Sequence, residues 1–199
     1  VTDDPSTVGE VDLILHCIKL YSNADAFPSM KSMIGENTNI LTIQNGATAG
    51  HILGAEFGDK HVLQGATYIE TGIAGPGHIH QSGLTAMIEF GEDDGSQTER
   101  TAVIKKLFSR EGMQVVVSSN IVDTLWAKMV AVGSIGSVMA ASRATFVEIL
   151  ASPHGEHTVR TVMEEIVAVG QSQGVTFPPR YVESKMKDAI GEAEETQAS

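Results

Sequence analysis

The residue of this chain with the most direct claim to chemistry is a lysine, Lys128, which lies in a stretch without other charges. Between Thr124 and Ser142 it is the only ionisable side chain. An ammonium group held against apolar helix is costly unless a partner or substrate compensates for the lost water, so such a lysine is a candidate for catalysis. Alternatively, Lys128 lays its methylene groups along the surface and keeps its ammonium in water. The spacing alone favours this second interpretation, because most isolated lysines are of that kind.

Two further polar positions follow segments that the sequence predicts as buried strands. Lys19 follows Val11–Ile18, and Asn45 follows Asn39–Ile43 in the turn Gln44-Asn45-Gly46. Ligands of open α/β sheets bind at the carboxyl ends of the strands. Asn45 could therefore touch a cofactor or substrate, and Lys19 could meet the phosphate or ribose of a nucleotide. Taken separately, an ordinary strand-exit turn and a solvated charge explain both positions better.

A metal site is not expected. His78 and His80 have the spacing that places two imidazoles on one face of a strand, but no nearby cysteine or carboxylate completes a ligand set. The sequence also contains no Gly-x-Ser-x-Gly, Walker A or Gly-x-Gly-x-x-Gly motif.

Charge and composition exclude several classes of function. The formal net charge of -12 and the pI near 4.9 disfavour nucleic-acid binding. The acidic, polar start shows no signal peptide, and the sole cysteine, Cys17, fits a reducing cytoplasm. The uncharged stretch around Lys128 is just long enough to span a membrane, but its glycines, serines and lysine favour a buried helix, so no membrane partner is expected.

Residues 1–119 alternate between strand and helix patterns, which indicates a parallel sheet with helices packed on its faces. A β-rich region over residues 61–92 is broken by Gly75-Pro76-Gly77. The other predicted elements are strands at 11–18, 39–43 and 113–118 and helices at 24–33, 51–57 and 98–110, the last with Val103, Leu107 and Phe108 on its apolar side.

Residues 120–199 have a helical pattern throughout. The first predicted helix, 121–150, is apolar on more than one face and is therefore expected at the centre of its domain. Two more helices are predicted, at 157–172 and 179–195. The change of character near Ser119 predicts a sheet-based domain, 1–119, followed by an all-α domain, 120–199.

Taken in order, the segments of this chain resemble the ketopantoate reductase family (2-dehydropantoate 2-reductases). The matching pieces are GEVDLILHCIKLY, NILTIQNG, LQGATYIETGIAGPGHIHQSG, FGEDDG, EGMQVVVSSNIVDTLWAKMV and VMEEIVAVGQSQGV. The resemblance implies a Rossmann-type NADPH domain, then a helical substrate and dimerisation domain, with the active site in the cleft between them. It further implies a cytoplasmic enzyme, with a homodimer as a candidate assembly, that reduces ketopantoate to pantoate in pantothenate and coenzyme A biosynthesis.

The resemblance also assigns roles to individual residues. The catalytic lysine of the family falls on Lys128, and the asparagine that contacts both nicotinamide and substrate falls on Asn45. A lysine that contacts the cofactor falls on Lys19, and a backbone position that contacts it falls at or beside Thr71. The substrate-binding serine falls on Ser199.

The chain departs from the family pattern in three places. The amino-terminal strand, glycine-rich loop and helix of the family are missing, which predicts a first domain that lacks its amino-terminal part. A substrate-binding glutamate that the family carries beyond the position of Ser199 is also missing, which predicts an incomplete carboxyl-terminal domain. Val132 and Gly136 stand where many members carry asparagines. Two alternatives therefore stay open: a reductase of another 2-oxo acid, and a binding or oligomerisation module without catalysis.

Overall fold

The computed structural model describes the backbone of residues 2–198 and, except at residues 83–85, 197 and 198, their side chains. The chain divides into two compact units, Val1–Thr124 and Leu125–Ser199. This division lies inside the helix that begins at Ile121, slightly beyond the predicted boundary near Ser119. The assignment of functional domains to 1–119 and 120–199 stays a prediction.

The described part of the first unit is built on a five-stranded sheet with strand order β1-β2-β3-β4-β5. Neighbouring strands are parallel except β3 and β4, which are antiparallel. The prediction of a parallel sheet is wrong at this pair, because Pro76-Gly77 forms a two-residue hairpin turn with Gly77 at φ +70°. The strands are β1 Leu13–His16, β2 Asn39–Thr42, β3 Val62–Gly75, β4 His78–Gly91 and β5 Gln114–Val117.

The strand β1 differs from its prediction in length and in burial. It spans four residues rather than 11–18, and the side chain of Leu15 is 43% exposed. Within the part of the chain that the structure describes, β1 is an end strand of the sheet. The expectation of a strand buried on both faces is therefore wrong for β1, whereas Ile40 and Leu41 of β2 are fully buried.

Three α-helices accompany the sheet: α1 Asn23–Met30, α2 Ala49–Phe57 and α3 Glu99–Phe108. The buried residues of α3 are Thr101 and Ile104, and Phe108 packs against the sheet core. Val103 and Leu107 are 59% and 55% exposed, so the predicted apolar side is wrong for these two residues. Thr101 occupies a core position of α3, so the face that the helix buries includes a polar residue and leaves out Val103 and Leu107.

The described part of the second unit contains most of a long helical segment, which begins at Ile121 in the first unit, and three further helices. Its first segment consists of α4 Ile121–Lys128, a π turn Met129–Gly133 and α5 Ser134–Ser142. The predicted helix 121–150 is interrupted because Arg143 adopts a left-handed conformation at φ 56°, which ends α5. The remaining helices are α6 Phe146–Leu150, α7 Pro153–Ser172 and α8 Tyr181–Ala198.

The core of this unit is apolar and lies among α6, α7, α8 and one side of the first segment. Val130, Val159 and Met163 are fully buried there, with Met186 nearly so. The segment Ile121–Ser142 is long and apolar enough to cross a membrane by length and composition, and 17% of its most apolar window is buried. The segment contributes Val130 to the core, with Ile135, Val138 and Met139 packed against it, but it is less buried than the expectation of a central helix implies.

Candidate active site

Lys128 is the last residue of α4, and its side chain is half-buried. Burial lowers the pKa of its ammonium below the usual lysine value, because desolvation penalises the charged form. A lysine with a lowered pKa gives up its proton more readily near neutral pH. This desolvation favours the catalytic interpretation over the one in which the ammonium extends into bulk water.

The helix widens into the π turn directly after Lys128. The hydroxyl of the fully buried Ser134 donates hydrogen bonds to the carbonyl oxygens of Val130 at 2.6 Å and Ala131 at 3.2 Å. Short π segments inside α-helices recur at functional sites. The sequence patterns did not predict the π turn, although Gly133-Ser134 is a pair of the kind at which helices deform.

The helix surface that continues from Lys128 is apolar and uncrowded. Val132 and Gly136 follow at four-residue intervals, which places them on the same side of the helix. Val132 is 54% exposed, and a Cβ atom added to Gly136 would meet no atom within 4 Å. Neither residue offers a polar side chain to a ligand.

In the first unit, the structure brings Lys19 and Asn45 to one edge of the sheet. The strands before them, β1 and β2, pair in parallel with His16 opposite Thr42, so their carboxyl ends lie side by side. Both Lys19 and Asn45 are exposed. The turn after β2 depends on Gly46, whose φ of +112° favours glycine.

Thr71 lies on the long arm formed by β3 and β4, opposite Gln81. The strand β3 runs parallel to β2 as far as Gln64, opposite Thr42, and then continues through Thr71 beyond the end of β2. Thr71 therefore lies beyond the carboxyl end of β2, at the same end of the sheet as Lys19 and Asn45. The remaining predicted position, Ser199, lies outside the described residues.

The paired histidines lie on the same arm. His78 and His80 are exposed at the start of β4. Across residues 2–198, as far as their side chains are described, no group of three or more His, Cys, Asp or Glu residues is arranged to hold a metal ion.

A buried polar cluster, not predicted from the sequence, lies behind the sheet edge. His16, Asn23 and Gln44 are each at most 5% exposed and are joined through their side chains. His16 interrupts an apolar run, which is a signal that the sequence offered. No local sequence pattern marks Asn23, because its partner Gln44 is distant along the chain.

The side chains at this edge fit the phosphate and ribose groups of a dinucleotide. An exposed ammonium at Lys19 suits an anionic pyrophosphate or ribose phosphate, and the Asn45 amide can both donate and accept hydrogen bonds. The carboxyl edge of parallel strands is where dinucleotides bind in sheets of this kind.

The fold defines a Rossmann-like unit with a mixed sheet, followed by a helical unit. The family model described as "Ketopantoate reductase PanE/ApbA" matches residues 1–95, and the model of its C-terminal part matches residues 120–199. The chain belongs to the ketopantoate reductase family. This confirms the resemblance that was based on segments such as QNG and LWAKM.

Individual relatives are distant. A 2-dehydropantoate 2-reductase from Streptococcus pyogenes serotype M3 is 28% identical over 179 residues, which cover 90% of this chain and 58% of that protein. The crystal structure of a PanE/ApbA family ketopantoate reductase from Ralstonia eutropha JMP134 is 27% identical, with a TM-score of 0.80, and covers 98% of this chain and 61% of that one. The chain thus spans less than two thirds of the length of the curated relatives it matches.

A third similar structure is the ternary structure of D-mandelate dehydrogenase with NADH and anilino(oxo)acetate. It has a TM-score of 0.76 and 20% sequence identity, and covers 94% of this chain and 57% of that one. At this identity the similarity shows the fold alone.

Proposed function

We propose that the protein reduces a 2-oxo acid with a nicotinamide cofactor, and that the reaction is the NADPH-dependent conversion of ketopantoate to pantoate. The observation that carries the proposal is the half-buried Lys128 with its lowered pKa, at the end of α4 in a member of this family. The place of the reaction is then pantothenate and coenzyme A biosynthesis in the cytoplasm. A homodimer is the proposed assembly, and light scattering of the full-length protein tests it.

Each proposed residue has a distinct role. The bound cofactor supplies the hydride. Lys128 stabilises the negative charge that develops on the ketone oxygen and donates the proton to it. Asn45 orients the substrate carbonyl with its amide, Lys19 neutralises part of the anionic cofactor, and the backbone at Thr71 contacts it. Ser199 is proposed to bind the substrate.

The experiment is to replace Lys128 by Ala in the full-length protein. Loss of a positioned general acid lowers turnover by about 10²- to 10⁴-fold, whereas the Kd for NADPH changes little because Lys128 acts on the substrate oxygen. Lys187→Ala is the control, since this exposed lysine of α8 belongs to the same unit. Near-normal turnover in the Lys128 variant would refute the proposed mechanism.

A second candidate is a different 2-oxo acid on the same fold. It is favoured by the exposed Val132 and by the open space at Gly136, which leave room for an apolar substituent and offer no amide to a hydroxyl group. The structure of D-mandelate dehydrogenase with NADH and anilino(oxo)acetate, which has a similar fold, supports this candidate.

A panel of 2-oxo acids with either NADPH or NADH separates the two candidates. The ketopantoate proposal predicts the highest kcat/KM for ketopantoate with NADPH. The alternative predicts higher values for 2-oxo acids with larger apolar substituents, and a shift back toward ketopantoate in Val132→Asn. Failure to turn over any of them, together with no cofactor binding, would instead support a module without catalysis.

A further inference from the structure

A reciprocal pair of side-chain amides is buried behind the turn that carries Asn45. The Nε2 atom of Gln44 donates to Oδ1 of Asn23 at 2.7 Å, and Nδ2 of Asn23 donates to Oε1 of Gln44 at 3.3 Å. Gln44 is 5% exposed and Asn23 is 4% exposed. A buried polar network with its bonds made rigidifies the segments that it joins.

This amide pair connects the carboxyl ends of β1 and β2, the two strands that precede Lys19 and Asn45. Gln44 Nε2 also donates to the carbonyl oxygen of Ile18 at 2.7 Å, and Oε1 accepts from the Thr42 hydroxyl at 3.4 Å. Asn23 Oδ1 lies 3.0 Å from Nε2 of His16, the last residue of β1. The bonds therefore join β1, the loop after it, the start of α1 and the end of β2.

Hydrogen bonds hold the backbone on both sides of Lys19, and Gln44 makes the one that precedes it. The carbonyl oxygen before it, that of Ile18, is held by Gln44, and the carbonyl oxygen of Lys19 itself accepts from the backbone N–H of Ser22 at 2.9 Å. Asn45 follows Gln44 directly in the chain. One buried residue, Gln44, thus contacts the Lys19 loop through its side chain and is joined to Asn45 by the peptide bond.

We propose that Gln44 is a positioning residue that sets the spacing between Lys19 and Asn45, and so preorganises this edge for the cofactor. The inference rests on the proposed function, because it takes Lys19 and Asn45 as cofactor contacts. Gln44 acts through the Ile18 carbonyl and Asn23 and touches neither cofactor nor substrate in this role.

The test compares Gln44→Leu with a matched variant, Thr38→Val, in the full-length protein. Thr38 is also buried, at 3% exposed, and its hydroxyl donates to the Val11 carbonyl and accepts from the N–H of Gly35 at 2.9 Å. It precedes β2, at the opposite end of that strand from Gln44. Gln44→Glu is a second variant that keeps the side-chain length and removes the donor to Ile18.

Two measurements distinguish positioning from general stability. Hydrogen exchange of the backbone amides at residues 17–22 and 45–47 should accelerate about tenfold or more in both Gln44 variants and stay near wild type in Thr38→Val. Both Gln44 variants lose the bonds that Nε2 donates to the Ile18 carbonyl and to Asn23, and a lost bond that leaves a buried group unsatisfied costs about 1–3 kcal/mol. The Kd for NADPH should rise about tenfold in the Gln44 variants only, with a smaller change in kcat.

Unchanged exchange in these loops, or equal losses of cofactor affinity in the Thr38 and Gln44 variants at equal loss of Tm, would overturn the proposal. A wild-type protein that binds no nicotinamide dinucleotide would refute the proposed function instead. In that case the exchange data alone decide whether Gln44 joins the two loops.

Discussion

The two units support their candidate functional residues by different physical means. In the sheet-based unit, Lys19 and Asn45 lie in loops, and buried polar side chains such as Gln44 fix the backbone around them. In the helical unit, Lys128 lies on a helix, and an apolar core around Val130 and Met163 holds that unit together. Loops need specific hydrogen bonds to hold one conformation, whereas a helix already satisfies its own backbone.

One ion pair of the first unit is more buried than the ion pair along α7 in the second, although Lys31 and Glu56 of the first unit form an exposed pair. Glu92 and Arg100 form an ion pair in the first unit with side chains 9% and 25% exposed, whereas Glu156 and Arg160 of α7 are 36% and 33% exposed. Burial alone would raise the pKa of Glu92, but the hydrogen bonds from Arg100 and Thr98 lower it overall. The Glu92–Arg100 pair therefore stabilises the fold through a partly buried, hydrogen-bonded contact.

The largest expected effect tests this contrast. Removing one partner of a buried pair leaves the other charge uncompensated, so Arg100→Ala should lower the free energy of unfolding by about 3–5 kcal/mol. Arg160→Ala removes a more exposed i,i+4 pair and should cost at most about 1 kcal/mol. Urea unfolding followed by circular dichroism measures both, and equal losses would remove the distinction between these two ion pairs.

The pH dependence of the same pair has a definite sign. Because the pKa of Glu92 is lowered in the folded state, its contribution is complete above the unfolded glutamate pKa and is lost as the pH falls through the folded value. The difference in stability between wild type and Glu92→Gln should therefore shrink under acid conditions.

The sequence was most informative where a pattern is local. The strand before Gln44, the helix α2 and the Lys128 segment were predicted with the correct type, because apolar runs and turn residues mark them directly. The roles of the site residues came from the family resemblance and stay predictions.

What the sequence could not provide depends on contacts between distant residues. The pairing of Asn23 with Gln44 joins residues 21 positions apart, and no local pattern marks it. The exposure of Leu15 follows from the position of β1 at an end of the described sheet, and that of Val103 from the burial of Thr101. The break at Arg143 depends on a left-handed residue that propensity does not predict.

The next largest effect concerns the apolar core of the helical unit. Met163 is fully buried, and Met163→Ala should cost about 2–5 kcal/mol through lost contacts and a cavity. Val169, on the same helix, is 55% exposed, so Val169→Ala should change stability by about 0.5 kcal/mol or less. The sole tryptophan, Trp126, belongs to this unit, and its fluorescence follows the unfolding. Similar unfolding midpoints for the Met163 and Val169 variants would contradict an apolar core centred on Met163.

A smaller effect distinguishes two helical glycines of that unit. Gly136 has open space around a built Cβ atom, so Gly136→Ala should stabilise the helix by about 0.5–1 kcal/mol. A Cβ atom on Gly170 would lie 2.9 Å from Phe177 and 3.0 Å from Trp126, so Gly170→Ala should destabilise the unit. Thermal unfolding of both variants measures the difference in Tm, and a loss of stability in Gly136→Ala would show that another part of the protein contacts this surface.

The smallest expected effect concerns the cost of burying Lys128. Since its folded pKa is lower than its unfolded pKa, the unfolded state binds more protons between the two values, and the stability of the wild type rises with pH there. Lys128→Met has no such group, so the difference in Tm between wild type and this variant should move in favour of the wild type as the pH rises toward the ordinary lysine pKa of 10.5. Lys128→Gln should show the same pH-dependent difference, because the effect comes from removing the charge. A gap in Tm that stays constant from neutral pH upward would mean that the ammonium of Lys128 is not desolvated, and the physical argument for its role as a proton donor would fail with it.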